Sequence, residues 1–444
     1  MPGGSPSRPE YYYSGDCEPP EASVVATFTF VTGFGSPLIA ASPDRAALQR
    51  RSMRVLVASQ VLSGAGLAAG VTVGALLAED VLGTTSLAGL PSALLTLGSA
   101  GAAYGVGVLS DRSGRRPGLA AGYAAGAIGG AGVAYAAVID NAFLLLVALL
   151  VYGAGTATSL QARYAGADLA LPERRGTAVS TILVATTLGA VAGPNLVAPV
   201  GRLAEENGIP ALAGPFVLAA IAYAVAAIVL LVWLRPDPLL TARALIKQNA
   251  ESGFAATRQP HRIDHAAIRL GGVTMVVTQL VMVAVMTMTP VHMRDHGHGL
   301  GATGLVIGLH IAAMFLPSPI TGRLVDRYGT TPVAAAGGGC LLAAGFVAAV
   351  APEQSVAVLA VALILLGLGW NLGLLAGTTL VAGAVPAEGR ARVQGRLDVA
   401  VALAGAGGGL SSGFVVAATG YSALAAGSGL LALVVLAAAL RQRT

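Results

Sequence analysis

Gly107-Val108-Leu109-Ser110-Asp111-Arg112-Ser113-Gly114-Arg115-Arg116-Pro117 recurs 215 residues later as Gly322-Arg323-Leu324-Val325-Asp326-Arg327-Tyr328-Gly329-Thr330-Thr331-Pro332. Gly, Leu, Asp, Arg, Gly and Pro keep their spacing, so the chain is built from two related halves. The residue types carry a physical reading. Gly107 and Gly322 permit close helix contact, and Gly114 and Gly329 permit a tight turn. Asp111 and Asp326 are suited to face a neighbouring helix N-terminus or an arginine. Arg174, Arg175, Arg390 and Arg392 are the candidate partners.

Around each copy the sequence is strongly apolar. Of 444 residues, 55% are hydrophobic and only 11% charged, too few charges to cover a soluble surface. The apolar residues fall into runs of about 20, the length of a helix that crosses a bilayer. They are apolar on all faces, which excludes the alternation of barrel strands. Sixty glycines imply closely packed helices. Twelve spans are expected, near 53–79, 85–109, 117–138, 142–165, 176–200, 211–234, 268–291, 301–321, 332–351, 354–380, 396–417 and 419–440. The fold class is all-α integral membrane, two six-helix halves (51–234 and 268–444) around a central cavity. Residues 235–267 form the cytoplasmic linker. Residues 1–50 read as a disordered N-terminal tail or a stretch upstream of a start at Met53. The mildly apolar 22–42 is the rival for a thirteenth span, and no basic region precedes it as a signal peptide requires.

With residue 52 inside, all of the 26 Lys and Arg except Arg202 and Arg294 lie on one side. That distribution places both termini in the cytoplasm and removes the nucleic-acid reading of the net charge of +5. The two cysteines, Cys17 and Cys340, give no disulfide framework. Gly367-x-Gly369 lies inside an apolar run without the strand and turn of a dinucleotide site, and no nucleophile–base pair or phosphate loop occurs. The chain is therefore read as a transporter without a cofactor, not an enzyme.

The repeated loop resembles the signature loop of the major facilitator superfamily, from about residue 53 to 440. The resemblance implies secondary transport by alternating access, with Gly107, Asp111, Arg112, Gly114, Arg115, Gly322, Asp326, Arg327 and Gly329 latching the cytoplasmic gate.

Substrate signals are sparser. Charges within spans are functional candidates, and Arg163 is one, with Asp168 as its nearest partner in sequence. Six of the eight methionines lie between residues 275 and 314. Met282 and Met286 share one helical face, and His310 and Met314 share another. At 1.5 Å per residue, Met282 and His310 both sit ~13 Å below the outer surface. Thioether with imidazole suits Cu(I). Met pairs are also common packing, and an isolated His is often a satisfied donor. The two motifs, with Met288-Thr289-Pro290, Phe315-Leu316-Pro317-Ser318, Gly369-Trp370-Asn371 and Gln161-Ala162-Arg163, resemble the CcoA-like copper transporters. That resemblance implies copper as substrate, bound by Met282, Met286, His310 and Met314. It also implies a bacterial inner-membrane location, a monomer, and a cytoplasmic copper acceptor of unknown identity. The same branch includes riboflavin importers, for which Gln60, Gln161, Arg163, Trp370 and Asn371 are the cavity candidates. Proton-coupled drug efflux is a third reading. Gly189-x-x-x-Gly193-Pro194 resembles the antiporter motif, but Leu149-Leu150-Val151-Tyr152-Gly153 lacks the arginine those antiporters carry.

Overall fold

A computed structural model describes residues 43–82, 90–251 and 263–442. Six long helices come first: α1 (Pro43–Leu82), α2 (Leu90–Ser113), α3 (Arg115–Val138), α4 (Ala142–Ala167), α5 (Arg175–Glu206) and α6 (Gly214–Trp233). A short helix, α7 (Pro238–Glu251), precedes the second set. That set is α8 (His265–Asp295), α9 (Leu300–Phe315), α10 (Ser318–Tyr328), α11 (Thr330–Ala349), α12 (Val356–Ala384), α13 (Arg390–Thr419), α14 (Tyr421–Leu431) and α15 (Leu433–Arg441). Among the described residues, ten segments are long and apolar enough to cross a membrane. With α1 and α5, and with α9/α10 and α14/α15 each counted as one broken span, they make twelve.

Local chemistry sets the helix limits. Asn141, Asp264 and Ser355 accept from the backbone N–H of Leu144, Ala267 and Val358, capping α4, α8 and α12, where four N–H groups lack helical acceptors. Gly114 and Gly329 adopt φ of 98° and 88°, which only glycine enters without strain, so the chain turns sharply from α2 to α3 and from α10 to α11. Pro317 and Pro319 interrupt the eighth span, because proline offers no N–H to the preceding turn.

Two apolar cores form. One gathers Leu56, Leu119, Tyr123, Leu149, Phe216 and Tyr223 from α1–α6. The other gathers Met275, Met282, Val285, Met314, Leu341, Leu363 and Trp370 from α8–α12, and Val179 and Leu183 of α5 pack on it.

One expectation needs correction. Residues 43–50 are the first turns of α1, not tail: Arg45 Nε donates to the carbonyl of Leu169 (3.1 Å) and Gln49 to that of Gly166 (2.8 Å). Residues 1–42, with the rival span 22–42, lie outside the described residues. The linker is partly helical, and Leu245 and Ala242 of α7 pack on Leu169.

Candidate functional site

The two halves meet chiefly at the end that carries most of the arginines, and small residues make the meeting possible. A Cβ on Gly395 would stand 2.7 Å from the Ala103 carbonyl oxygen and 3.0 Å from Gly107 Cα. On the pseudo-equivalent seam, a Cβ on Gly176 would stand 2.6 Å from the Gly322 carbonyl oxygen. α2 thus crosses α13, and α5 crosses α10, backbone against backbone.

Polar bonds lock both seams. Asp326 accepts the N–H groups of Gly176 (2.7 Å) and Thr177 (2.9 Å) at the start of α5, where the helix dipole favours a carboxylate. Asp111 pairs with Arg243 at 2.7 Å and with Arg392 at 3.4 Å. Arg243 also donates to the Ala387 carbonyl (3.0 Å), so α7 bridges the halves. Asp237 ties this helix to the first loop. It caps Leu239 and Leu240 and accepts from the Arg116 N–H at 2.7 Å.

Deeper in, Arg115 donates to Asp168 (2.8 Å) and to Gln394 of the other half (2.5 Å). Asp168 also faces Arg390 at 3.7 Å. Arg163 pairs with Asp398 of α13 at 2.6 Å and donates to Thr378 of α12 at 3.0 Å. The expected Arg163–Asp168 pair is therefore wrong. Five residues apart on one helix, the two side chains point to different neighbours. Among the expected partners of the loop carboxylates, only Arg392 meets one. Arg112 makes no hydrogen bond or ion pair among the described residues, and Arg327 lies over the Tyr328 ring, 5.3 Å from its centroid.

Above this closed layer a cavity of about 320 Å³ separates the halves. Its walls come from α2, α4, α8 and α13, and its polar groups are Thr96, Ser99, Thr156, Gln279 and Asp398, with the Tyr152 ring on one side. Trp370 Nε1 donates to Gln279 Oε1 at 2.8 Å. This fixes the amide orientation and leaves the Gln279 NH₂ for a ligand.

The sequence-derived cavity candidates divide accordingly. Trp370 acts behind Gln279. Arg163 forms part of the floor. Gln161 donates to the Ala103 carbonyl at 2.6 Å. Gln60 is consumed by Tyr123, Ser159 and Thr186 inside the first half. Asn371 clips the broken span: it donates to the Met314 carbonyl and to Ser318, both at 2.7 Å, and accepts from Thr321 at 2.6 Å. Met282 and Met314 are buried members of the second core and Met286 packs on it. None of these three, nor His310, lines the cavity. His310 Nδ1 donates to the Leu363 carbonyl at 2.8 Å; in the neutral ring Nε2 is then an acceptor, and it is buried without a partner. No group of three or more His, Cys, Asp or Glu able to hold a metal occurs among the described residues. Gln279, Asp398, Gln394, Gly395 and Arg243 went unassigned in the sequence because each takes its meaning from a contact with a distant helix.

Twelve spans in two pseudo-equivalent halves, closed at one end over a central cavity, define a secondary membrane transporter. The chain belongs to the major facilitator superfamily, whose model matches residues 56–372 and 270–444. It is 55% identical over 400 residues to the MFS-type transporter YdeG of Bacillus subtilis (strain 168), covering 89% of this chain and 93% of that protein. It is 31% identical over 355 residues to the riboflavin transporter RfnT of Brucella anthropi, covering 79% of this chain and 85% of that one. The human organic anion transporter MFSD10 (TETRAN) has the same fold, with a TM-score of 0.71 at 19% identity over 88% of this chain and 99% of its own.

Proposed function

We propose that the protein imports a small organic solute of the flavin class across a bacterial inner membrane, with its arginine-rich end in the cytoplasm. The central cavity carries this reading. Its volume of about 320 Å³ lies at the lower end of the range for organic ligands, ~300–1,000 Å³. A bare metal ion held by a few ligands within about 2.5 Å needs far less. The amide of Gln279 and the hydroxyls of Thr96, Ser99 and Thr156 match the polar edge of a heterocycle, and the Tyr152 ring offers it an apolar wall. The likeness to a riboflavin transporter supports the class.

Riboflavin uptake in cells or proteoliposomes tests it. Gln279→Leu removes a donor at the cavity wall and orphans the Trp370 N–H. It is expected to cost about 1 kcal/mol, roughly a fivefold rise in the half-saturating concentration. The reading fails if the intact protein carries no flavin, or if uptake saturates equally in both.

One observation favours copper as the second reading: the imidazole of His310, with its Nδ1–H on a carbonyl and a buried bare Nε2, has the orientation of a metal ligand. Met282, Met286 and Met314 share its half. On the flavin reading, His310→Ala and Met286→Ala leave riboflavin uptake near the unsubstituted level at matched expression. Copper accumulation under reducing conditions that both substitutions abolish would move the assignment to the soft-ligand set.

A further inference from the structure

One buried charge remains half used. Asp398 is 6% exposed, and its Oδ1 accepts from Arg163 at 2.6 Å and from the Tyr164 hydroxyl at 3.3 Å. Its Oδ2 is buried with no partner, yet the side chain lines the cavity. The contrast lies in the same layer. Asp168 uses both oxygens, Oδ2 for Arg115 and Oδ1 for Arg115 and Arg390. A bare carboxylate oxygen beside a cavity is costly unless something binds it.

The surroundings select the ligand. A hard metal cation collects several oxygen ligands, but among the described residues no other carboxylate or imidazole shares the cavity wall. α2 and α8 bring only the neutral Thr96, Ser99 and Gln279. α4 brings Arg163 and Tyr164, and α12 brings Thr378, which holds Arg163. From α3, Arg115 is engaged by Asp168 and by Gln394, one helical turn before Asp398. On α13 itself Arg390 is turned to Asp168, and Arg396 is exposed. A single proton on Oδ2 suits this site.

We propose that Asp398 binds the proton that drives transport, and that its protonation releases the Arg163–Asp398 bridge and opens the arginine-rich end. A proton enters through the cavity and bonds to Oδ2. The neutral acid no longer holds the guanidinium by charge, and the links from Arg163 to the other half are reduced to hydrogen bonds with two neutral acceptors, Asp398 Oδ1 and Thr378. When the halves close again over the emptied cavity, Arg163 re-forms the ion pair and the proton leaves on the cytoplasmic side. One proton then moves with each solute, in the same direction. The inference rests on the importer reading for its direction, but not on the identity of the solute.

The test needs no substrate. In the full chain with Cys17→Ser and Cys340→Ser, nitroxides on Ser113→Cys and Glu388→Cys, both exposed and on opposite halves, report the width of the closed end. The interspin distance is expected to lengthen from mildly alkaline to mildly acidic buffer. Asp398→Asn holds the longer distance at both, and Asp398→Glu keeps the response. A distance indifferent to pH, or a response that survives Asp398→Asn and so belongs to another group, overturns the proposal. In proteoliposomes, Asp398→Asn is expected to lose riboflavin accumulation driven by a pH gradient, and Asp398→Glu to retain it; gradient-driven accumulation undiminished in Asp398→Asn overturns the coupling role. If riboflavin is not carried, the distance measurement still decides on Asp398.

Discussion

Asp168→Ala is expected to leave the protein with its arginine-rich end open and to abolish net transport. The carboxylate is 3% exposed, accepts from Arg115 at 2.8 Å and faces Arg390 at 3.7 Å. Arg115 belongs to the first half and Arg390 to the second, so Asp168 is the charge that allows two buried guanidinium groups to share the closed layer. Arg115 Nη1 and Arg390 Nη2 already lack partners. Removing one member of a buried pair costs about 3–5 kcal/mol. Here the protein has an alternative to unfolding, because separating the halves brings both arginines to water. The cost therefore falls on the closed state, and about 3 kcal/mol is roughly a hundredfold change in its population relative to the open one. The checks are solute uptake at matched membrane expression and labelling of a cysteine placed at Ala391, buried in the closed layer. Normal uptake with Ala391→Cys still protected would show that Asp168 is not needed for closure. Asp168→Asn keeps an acceptor without the charge, and a smaller effect is expected.

Much of the fold was legible in the sequence because the bilayer reads sequence crudely. A helix must be apolar over about 20 residues, and the runs from 53 to 440 show that length twelve times. The repeated loop was legible for another reason. Gly114 and Gly329 need a backbone conformation closed to other residues, and Asp326 needs a helix N-terminus; both demands are local and chemical, and both were met. What stayed hidden were matters of contact. α7 is too short and too polar to stand out from a linker, and its role depends on Arg243 reaching Asp111 and Ala387. Gln60 and Asn371 read as cavity groups because they are polar within apolar spans. They are instead consumed by buried neighbours, Tyr123 and Thr186 for one and the freed Met314 carbonyl for the other. The methionine cluster was real as a sequence pattern, yet four of those residues, Met275, Met282, Met293 and Met314, are buried in the second core. Periodicity reports that residues share a face, not which neighbour that face meets. For the same reason Arg163 and Asp168 looked like a pair. They are close along one helix, while Asp398, the true partner, lies 235 residues away.

Gly395→Leu is expected to match the loss of transport in Asp168→Ala by a different physical route, and the difference makes the two informative together. At Gly395 the helices α2 and α13 approach so closely that a first side-chain carbon would meet the Ala103 carbonyl oxygen at 2.7 Å and Gly107 Cα at 3.0 Å. Both are backbone atoms, which cannot rotate aside as a side chain can. Forcing extra volume into packed helices costs about 1–3 kcal/mol or more, and the simplest relief is to move the halves apart. The seam lies between the two cores rather than within either, so each half keeps its packing. Uptake is therefore expected to collapse while thermal unfolding of the purified protein shifts little. Gly176→Leu at the other seam should do the same, since the Gly322 carbonyl stands 2.6 Å from its added carbon. Gly339→Leu is the control, because nothing lies within 4 Å of the carbon it adds. Charge plays no part at Gly395, so its effect should persist at any pH and in high salt. Unimpaired uptake by Gly395→Leu would mean that α2 and α13 never close this tightly during transport, and the gate would have to be sought along the α5–α10 seam alone.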